Sequence, residues 1–190
     1  MKLTEERKVK KALLVIDMQN VCVGEKHATY FKYDNEILIQ AVNKVIDENK
    51  DNPVIYIKNI MKKNLINKLA PFQAYEGTEE VELVSNLRIA SDYAFTKYTG
   101  NAFSNPKLND FLKEHDIECV EVVGVDGGGC VALTALGATK EGYSVIVNET
   151  AIGTMFIKNK EKYFKKLRED VIKCLLRHDC SKKRTVKYDD

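Results

Sequence analysis

The sequence lacks most of the features that assign a chain to a specialised class of protein. Its 190 residues include no tryptophan and three prolines. No hydrophobic run approaches the roughly 18 residues of a membrane span, and residues 1–8 contain no apolar core of a signal peptide. A formal net charge of +2 favours no particular partner. We therefore expect one domain over 1–190, with peripheral tails at 1–10 and 181–190, that is cytoplasmic and contacts no membrane.

Cysteine and histidine are few and irregularly spaced. The five cysteines form no disulfide framework, so reduced thiols are expected. The three histidines are scattered, and none has a partner at the spacing of zinc ligands. The basic run at 181–184 lacks interleaved aromatic residues and is interpreted as a solvated tail. The sequence thus predicts no metal and no nucleic-acid partner.

Strand-like and helix-like segments alternate along the chain. Four apolar runs are typical of buried strands: 11–17, 54–57, 120–125 and 144–149. Amphipathic spacing predicts helices at about 34–49 and 158–177, and Asn105-Pro106 predicts the start of another. Residues 59–91 are expected to form a partly helical excursion. A last strand is expected near 185–187. The alternation predicts a single-domain, three-layer α/β/α fold with a mostly parallel, Rossmann-like sheet.

Cys130 is placed where a thiol can become a nucleophile. It follows an apolar strand and three glycines at 127–129, and it opens a helix-like stretch. A helix N-terminus favours the thiolate, so the pattern predicts a lowered pKa for Cys130. Asp17 ends the first strand and Lys97 ends another short strand-like segment, so both are candidates to activate the thiol at the carboxyl edge of the sheet.

The glycines also support a different function. Residues 127–132 fit the pattern G-x-G-x-x-A after a strand, and Glu149 follows about 20 residues later. In this interpretation the turn from Gly127 to Gly129 would hold the pyrophosphate of a dinucleotide at the helix N-terminus. Such a fingerprint usually opens its domain, whereas only one clear strand follows here. It also leaves Asp17 and Lys97 without a role.

Three motifs in order resemble those of the isochorismatase-like cysteine hydrolases. They are Leu-Val-Ile-Asp-Met-Gln-Asn at 14–20, Lys-Tyr-Thr-Gly-Asn-Ala-Phe at 97–103, and the segment 124–138 around Cys130. Glu-Gly-Thr at 76–78 resembles a turn that precedes the lysine segment in that family. The resemblance covers about residues 11–150. Each motif alone is weak, but the three together contain Asp17, Lys97 and Cys130 in the order that the family has.

The resemblance implies an enzyme that hydrolyses a C–N bond in a small amide, imide or ureide. Cys130 would attack the carbonyl and form a thioester, Asp17 would transfer the protons, and Lys97 would stabilise the thiolate. The backbone N–H groups of Asp126 and Cys130 would form the oxyanion hole, after a cis peptide between Val125 and Asp126. The family also implies a small-molecule substrate, no cofactor and a homo-oligomer. Asn20, Tyr30 and Phe103 are candidates for the substrate pocket.

The chain departs from the family's pattern in two places. Metal-containing members carry Asp-x-His after the second strand, whereas the stretch 58–64 has neither residue, so no metal site is predicted. Between the strand and the nucleophile the family has a small residue and then Thr-Asp, whereas this chain has Asp126 and three glycines. We expect the Asp126 carboxylate to raise the pKa of the thiol, and the glycines either to loosen the oxyanion hole or to leave room for a bulkier substrate. A catalytically weak family member is the alternative.

Overall fold

One parallel sheet forms the centre of the protein. The computed structural model describes residues 9–176 and 186–189. Within them are β1 (Lys11–Ile16), β2 (Val54–Asn59), β3 (Ala94–Lys97), β4 (Cys119–Val125), β5 (Ser144–Gly153) and β6 (Val186–Asp189). The strand order is β3-β2-β1-β4-β5-β6, and every neighbouring pair is parallel. The predicted three-layer fold with a parallel sheet is therefore confirmed.

Six α-helices connect or follow these strands. They are α1 (Asn20–Val23), α2 (Asn35–Glu48), α3 (Leu65–Lys68), α4 (Pro106–Glu114), α5 (Cys130–Glu141) and α6 (Ile157–Leu176). Two 3-10 turns, Glu79–Val81 and Ala102–Ser104, lie in the connections around β3. In the part of the chain that the structure describes, no helix combines the length and the apolar character that a bilayer crossing requires.

Helix boundaries follow from local capping chemistry. The Asp34 carboxylate accepts a hydrogen bond from the Ile37 N–H and starts α2. The Asn105 side chain caps α4 in the same way, and Pro106 occupies the first turn, where its missing N–H has no cost. Gly142 ends α5 in the left-handed conformation, with φ of 97°. The sequence-based boundaries of these helices are correct to within about one residue.

Both faces of the sheet are covered. On one face, Leu14 and Ile16 of β1 pack with α4, α5 and α6; on the other, Leu13 and Val15 pack with α2. These four side chains are fully buried. That is why β1 is an unbroken apolar run without alternating polar residues.

The excursion at 59–91 is partly helical, as predicted, and contains one turn of α-helix and one 3-10 turn. β5 runs to Gly153, four residues beyond the predicted end. Residues 186–189 pair with β5 as an edge strand, which confirms the last strand expected near 185–187. Thr185, in that predicted strand, lies outside the described residues.

The strand order creates a crevice at one position of the sheet. β1 and β4 are neighbours at the centre of the sheet. From β1 the strands continue through β2 to β3 at one edge, and from β4 they continue through β5 to β6 at the other. Connections therefore diverge at the carboxyl ends of β1 and β4, which is where open α/β sheets bind their ligands. Asp17 follows β1 and the glycine turn follows β4, so both predicted site segments meet there.

Candidate active site

A buried lysine joins the three residues that the motifs single out. The Lys97 Nζ lies 2.8 Å from Asp17 Oδ2 and 3.2 Å from Cys130 Sγ. It also lies 3.2 Å from Asn59 Oδ1, so the ammonium group has an acceptor for each of its three hydrogens. Lys97 is 1% exposed and Asp17 is 4% exposed. The structure thus brings the predicted Asp17, Lys97 and Cys130 into one cluster.

Four different segments deliver these side chains. Asp17 leaves the end of β1 with φ of 52°, and its N–H donates to the Ile57 carbonyl of β2. Lys97 is the last residue of β3 and is paired in register with Asn59 of β2. Cys130 is the first residue of α5. The parallel register therefore places all four residues at the same edge of the sheet.

Gln19 and Asn59 belong to the site, although sequence reasoning gave neither a role. The Gln19 side chain accepts from the Asn59 N–H at 2.8 Å and donates to the Asn59 carbonyl at 3.1 Å. It also donates to the Val81 carbonyl at 3.0 Å. Gln19 thereby fixes the end of β2, and Asn59 presents its side-chain oxygen to Lys97. Gln19 lies in the first motif, but its spacing to Asn59 carries no recognisable signal.

The environment of Cys130 favours the neutral thiol. Burial, together with the nearby Asp17 carboxylate, raises the pKa of Cys130 to about 12, although Lys97 acts in the opposite direction. The prediction of a lowered pKa for this thiol is therefore wrong. Burial disfavours the charged form of Lys97, but Asp17 and Cys130 outweigh it and its pKa is raised. The resting site is thus a thiol beside an Asp17–Lys97 ion pair.

One carboxylate oxygen in this cluster accepts no hydrogen bond from the described residues. Asp17 Oδ2 accepts from Lys97, whereas Asp17 Oδ1 is buried and no donor among the described residues serves it. A buried carboxylate oxygen without a donor is unusual and is a natural acceptor for a proton. Asp17 can therefore accept a proton without first breaking its bond to Lys97.

The turn from β4 into α5 leaves two N–H groups available. The Val125–Asp126 peptide is cis, as the resemblance implies. The N–H groups of Gly127, Gly128 and Gly129 each donate to an acceptor within the protein. Across the described residues, the N–H groups of Asp126 and Cys130 have no such acceptor. These two are the donors that the resemblance assigns to an oxyanion hole.

The Asp126 side chain has a different effect from the one expected. Its carboxylate accepts from the Gly128 N–H at 2.7 Å, the Tyr33 hydroxyl at 3.1 Å and the Met155 N–H at 2.5 Å. The raised pKa of Cys130 comes from burial and from Asp17, and Asp126 is not among its causes. The expectation that Asp126 raises the pKa of the thiol is therefore wrong.

The glycines give close packing rather than space. A Cβ at Gly127 would overlap the Thr154 hydroxyl, and one at Gly128 would overlap the Phe156 carbonyl. The connection from β5 to α6 therefore lies directly on the turn, which contradicts the expected room for a bulkier substrate. It also disfavours a dinucleotide, because the glycine N–H groups that would hold a pyrophosphate are already bonded within the protein.

We expect Gly128→Ala to destabilise the protein by about 1–3 kcal/mol, because backbone has to move to admit the methyl group. Urea unfolding followed by circular dichroism measures this. Gly129→Ala is the matched control, since a Cβ there would meet its nearest neighbour at an ordinary 3.5 Å. Equal midpoints for the two variants would contradict the packing role of Gly128.

The three candidate pocket residues have different surroundings. Asn20 begins α1, and its side chain donates to the Glu79 carbonyl at 3.0 Å. Tyr30 is 37% exposed and belongs to an aromatic cluster with three phenylalanines, Phe31, Phe72 and Phe156. Since Phe156 packs on Gly128, this cluster lies beside the glycine turn that precedes Cys130. Phe103 instead packs on Tyr143, beyond the far end of α5, so its contact belongs to helix packing.

The residues at the end of β2 do not fit a metal. Asn59, Ile60 and Met61 occupy the stretch where metal-containing relatives would carry Asp-x-His. The Asn59 side-chain oxygen already accepts from Lys97, Ile60 is buried, and Met61 packs against the core. Within the described ranges, no group of three or more His, Cys, Asp or Glu side chains could hold a metal ion.

The fold and this cluster define the class of the protein. The isochorismatase domain model matches residues 11–178. The chain belongs to the isochorismatase-like hydrolase family.

Known relatives include hydrolases and a protein thought to lack activity. A protein of Arabidopsis thaliana described as a probable inactive nicotinamidase is 26% identical over 160 residues, covering 75% of this chain and 81% of its own. An isochorismatase-like hydrolase from Alkaliphilus metalliredigens is 25% identical, with 94% of both chains covered and a TM-score of 0.74. N-carbamoylsarcosine amidase from Thermoplasma acidophilum shares the fold at 24% identity, with 96% and 98% coverage and a TM-score of 0.75.

Proposed function

We propose that the protein hydrolyses a C–N bond in a small amide, imide or ureide through a thioester on Cys130. The observation that carries this proposal is the contact of Lys97 with both the Asp17 carboxylate and the Cys130 sulfur. Nucleophile, base and cation then lie within one hydrogen-bonded cluster, beside two available N–H groups. The amidase in the comparison supports a substrate of this class.

The reaction begins with the transfer of the thiol proton to Asp17. The Cys130 sulfur attacks the carbonyl carbon, and the negative charge that develops on oxygen is stabilised by the N–H groups of Asp126 and Cys130. Asp17 then donates its proton to the leaving nitrogen, and the C–N bond breaks to give a thioester and a free amine or ammonia. Water attacks the thioester with Asp17 as base, which releases the acid and restores the thiol.

The raised pKa of Cys130 constrains the timing of the first step. Because the pKa of Cys130 is raised to about 12, the thiol strongly predominates over the free thiolate at pH 7. The sulfur therefore remains protonated until substrate is bound, and its proton passes to Asp17 in the first step. Lys97 stabilises the sulfur while the proton moves and keeps Asp17 in position.

The test is a panel of small amides, imides and ureides assayed for ammonia or amine release. We expect at least one substrate to be hydrolysed, and Cys130→Ala to lower that rate by at least about 10³-fold because the nucleophile is gone. Cys119→Ala is the matched control, since this thiol is buried within β4 and is expected to leave activity in place. Incubation with a chelator is expected to leave the rate unchanged.

If the native protein hydrolysed no member of this panel, the alternative of a catalytically weak member would be favoured. The Arabidopsis thaliana relative is described as probably inactive, so a family member without hydrolysis has a precedent. If the Cys130→Ala variant released ammonia as fast as the native protein, the thioester mechanism would be wrong. Mass spectrometry of an acid-quenched reaction adds a direct readout, because an acyl group on Cys130 increases the mass of one peptide.

A further inference from the structure

We propose that the Asp126 carboxylate and the Tyr33 hydroxyl are positioning residues that hold the oxyanion-binding turn in its working geometry. This inference rests on the proposed hydrolysis and adds two side chains to it. Neither side chain contributes to the cluster around Lys97. Their role would be to aim the N–H groups of Asp126 and Cys130, which touch the substrate oxygen.

Asp126 accepts hydrogen bonds from almost every direction. Its carboxylate has three donors, from Gly128, Tyr33 and Met155, and its backbone carbonyl accepts from the N–H groups of Gly129 and Val131. The residue is 8% exposed. Among the described residues, the polar group of Asp126 that remains without a partner is its own N–H. The rest of the residue is thus fixed around the one group that would contact substrate.

The carboxylate connects three segments that are distant in sequence. Gly128 belongs to the turn itself, Tyr33 lies in the loop before α2, and Met155 lies between β5 and α6. No other hydrogen-bonding side chain of the turn is available for this purpose, because residues 127–129 are glycines. Without the carboxylate, the turn would keep its backbone bonds and its packing against Thr154 and Phe156, but no side-chain hydrogen bond would fix a glycine-rich and therefore flexible backbone.

The hydrogen bonds of this carboxylate depend on the chemistry of both side chains. Residue 126 has to accept on both of its oxygens, and residue 33 has to donate from a hydroxyl. An asparagine at 126 would place an N–H₂ group against one of the donors, leaving two donors facing each other. Burial, followed by the adjacent Asp126, raises the pKa of Tyr33, so its hydroxyl remains protonated and continues to donate. Among the ion pairs of the described residues none includes Asp126, so its charge is held by neutral donors.

A negative charge near an oxyanion is electrostatically unfavourable. The direction in which the rate changes when this charge is removed therefore tests the inference. If Asp126 acted through its charge, removing that charge would stabilise the oxyanion and accelerate the reaction. If Asp126 acts by holding the turn, removing it slows the reaction despite the loss of charge. The two possibilities predict opposite changes in rate.

The experiment compares two reactions of the same sulfur. Acylation by 4-nitrophenyl acetate passes through an oxyanion and is followed as a burst of nitrophenolate, with Cys130→Ala as the blank. Alkylation by iodoacetamide displaces iodide from a saturated carbon and forms no oxyanion. The variants are Asp126→Asn, Tyr33→Phe and the double variant. Tyr33→Phe loses one hydroxyl from a half-buried side chain and is the variant most certain to fold.

We expect Asp126→Asn to slow the burst by about 10- to 100-fold, and Tyr33→Phe by about 3-fold. Both variants are expected to alkylate Cys130 within about 2-fold of the native rate. Because Tyr33 acts through Asp126, adding Tyr33→Phe to Asp126→Asn should slow the burst no further. A faster burst, or equal losses in both reactions, would overturn the inference.

Failure of the inference is distinguishable from failure of the proposed function. A native burst that depends on Cys130 but is unchanged in both variants overturns the positioning role alone. A native protein with no burst beyond the Cys130→Ala blank overturns the proposed thioester chemistry and the positioning role with it.

Discussion

Asp17→Asn is expected to abolish hydrolysis and yet make Cys130 react faster with iodoacetamide. Without its carboxylate the site has no proton acceptor, and general acid–base catalysis of this kind contributes about 10²–10⁴-fold. The same carboxylate raises the pKa of the thiol, whereas Lys97 lowers it. Removing Asp17 therefore leaves the cation alone beside the sulfur, and the thiolate becomes easier to form.

The pH dependence of alkylation shows whether Asp17 raises the pKa of Cys130. In the native protein the alkylation rate at Cys130 should still be rising above the ordinary pKa of a cysteine, because burial and Asp17 raise the pKa of this thiol. In Asp17→Asn the inflection should move to lower pH. Cys130→Ala identifies the signal in peptide mass spectrometry. An inflection that stays in place, or hydrolysis within about 10-fold of the native rate, would remove Asp17 from the proposed role.

Lys97→Met is expected to destabilise the fold by about 3–5 kcal/mol, because it leaves the buried Asp17 carboxylate without its cation. Urea unfolding at pH 7 measures this loss. A buried carboxylate without a cation has a raised pKa in the folded state, so its stabilising protonated form is lost as the pH rises. The variant should therefore approach native stability as the pH falls from 7 toward 5.

A double variant separates the charge from the packing. Lys97→Met combined with Asp17→Asn contains no buried ion and should be more stable than Lys97→Met alone, because no unpaired charge remains. Equal stability of the single and double variants would show that the cost comes from lost packing of the lysine chain. Alkylation of Cys130 should also be slower in Lys97→Met than in the native protein, since the cation that favours the thiolate is gone.

The central strands and the capped helices could be predicted from sequence because their signals are local. An apolar run such as 11–16, a cap such as Asp34 and a C-terminal glycine such as Gly142 each specify an element within a few residues. The excursion at 59–91 gave no such signal because tertiary hydrogen bonds hold it, such as the one from the Met61 N–H to the Ala74 carbonyl. The strand expected near 185–187 is present as β6 and pairs with β5.

The candidate site likewise has features that local sequence motifs predict and features that depend on tertiary contacts. Asp17, Lys97 and Cys130 lie in motifs that a sequence can display, and their contact follows from parallel register. The raised pKa of Cys130 depends on burial and on the distance to Asp17, which no motif encodes. The close fit of Gly127 and Gly128 against Thr154 and Phe156 is equally non-local, since about 28 residues separate the two segments. Composition predicted that the glycines would loosen this turn or leave room for substrate, whereas the turn is closely packed and the Asp126 carboxylate adds three hydrogen bonds.

The protonation state of Cys130 also protects it. In an unfolded chain a cysteine of ordinary pKa near 8.5 is a few per cent thiolate at pH 7 and is open to alkylating agents and oxidants. In the folded protein the thiolate is rarer by several orders of magnitude, because the pKa is about 12. Folding thus makes this sulfur less vulnerable to chance electrophiles. In the proposed mechanism, Asp17 would still allow it to react with a carbonyl held in the correct position, so the same fold would both preserve the thiol and direct its chemistry.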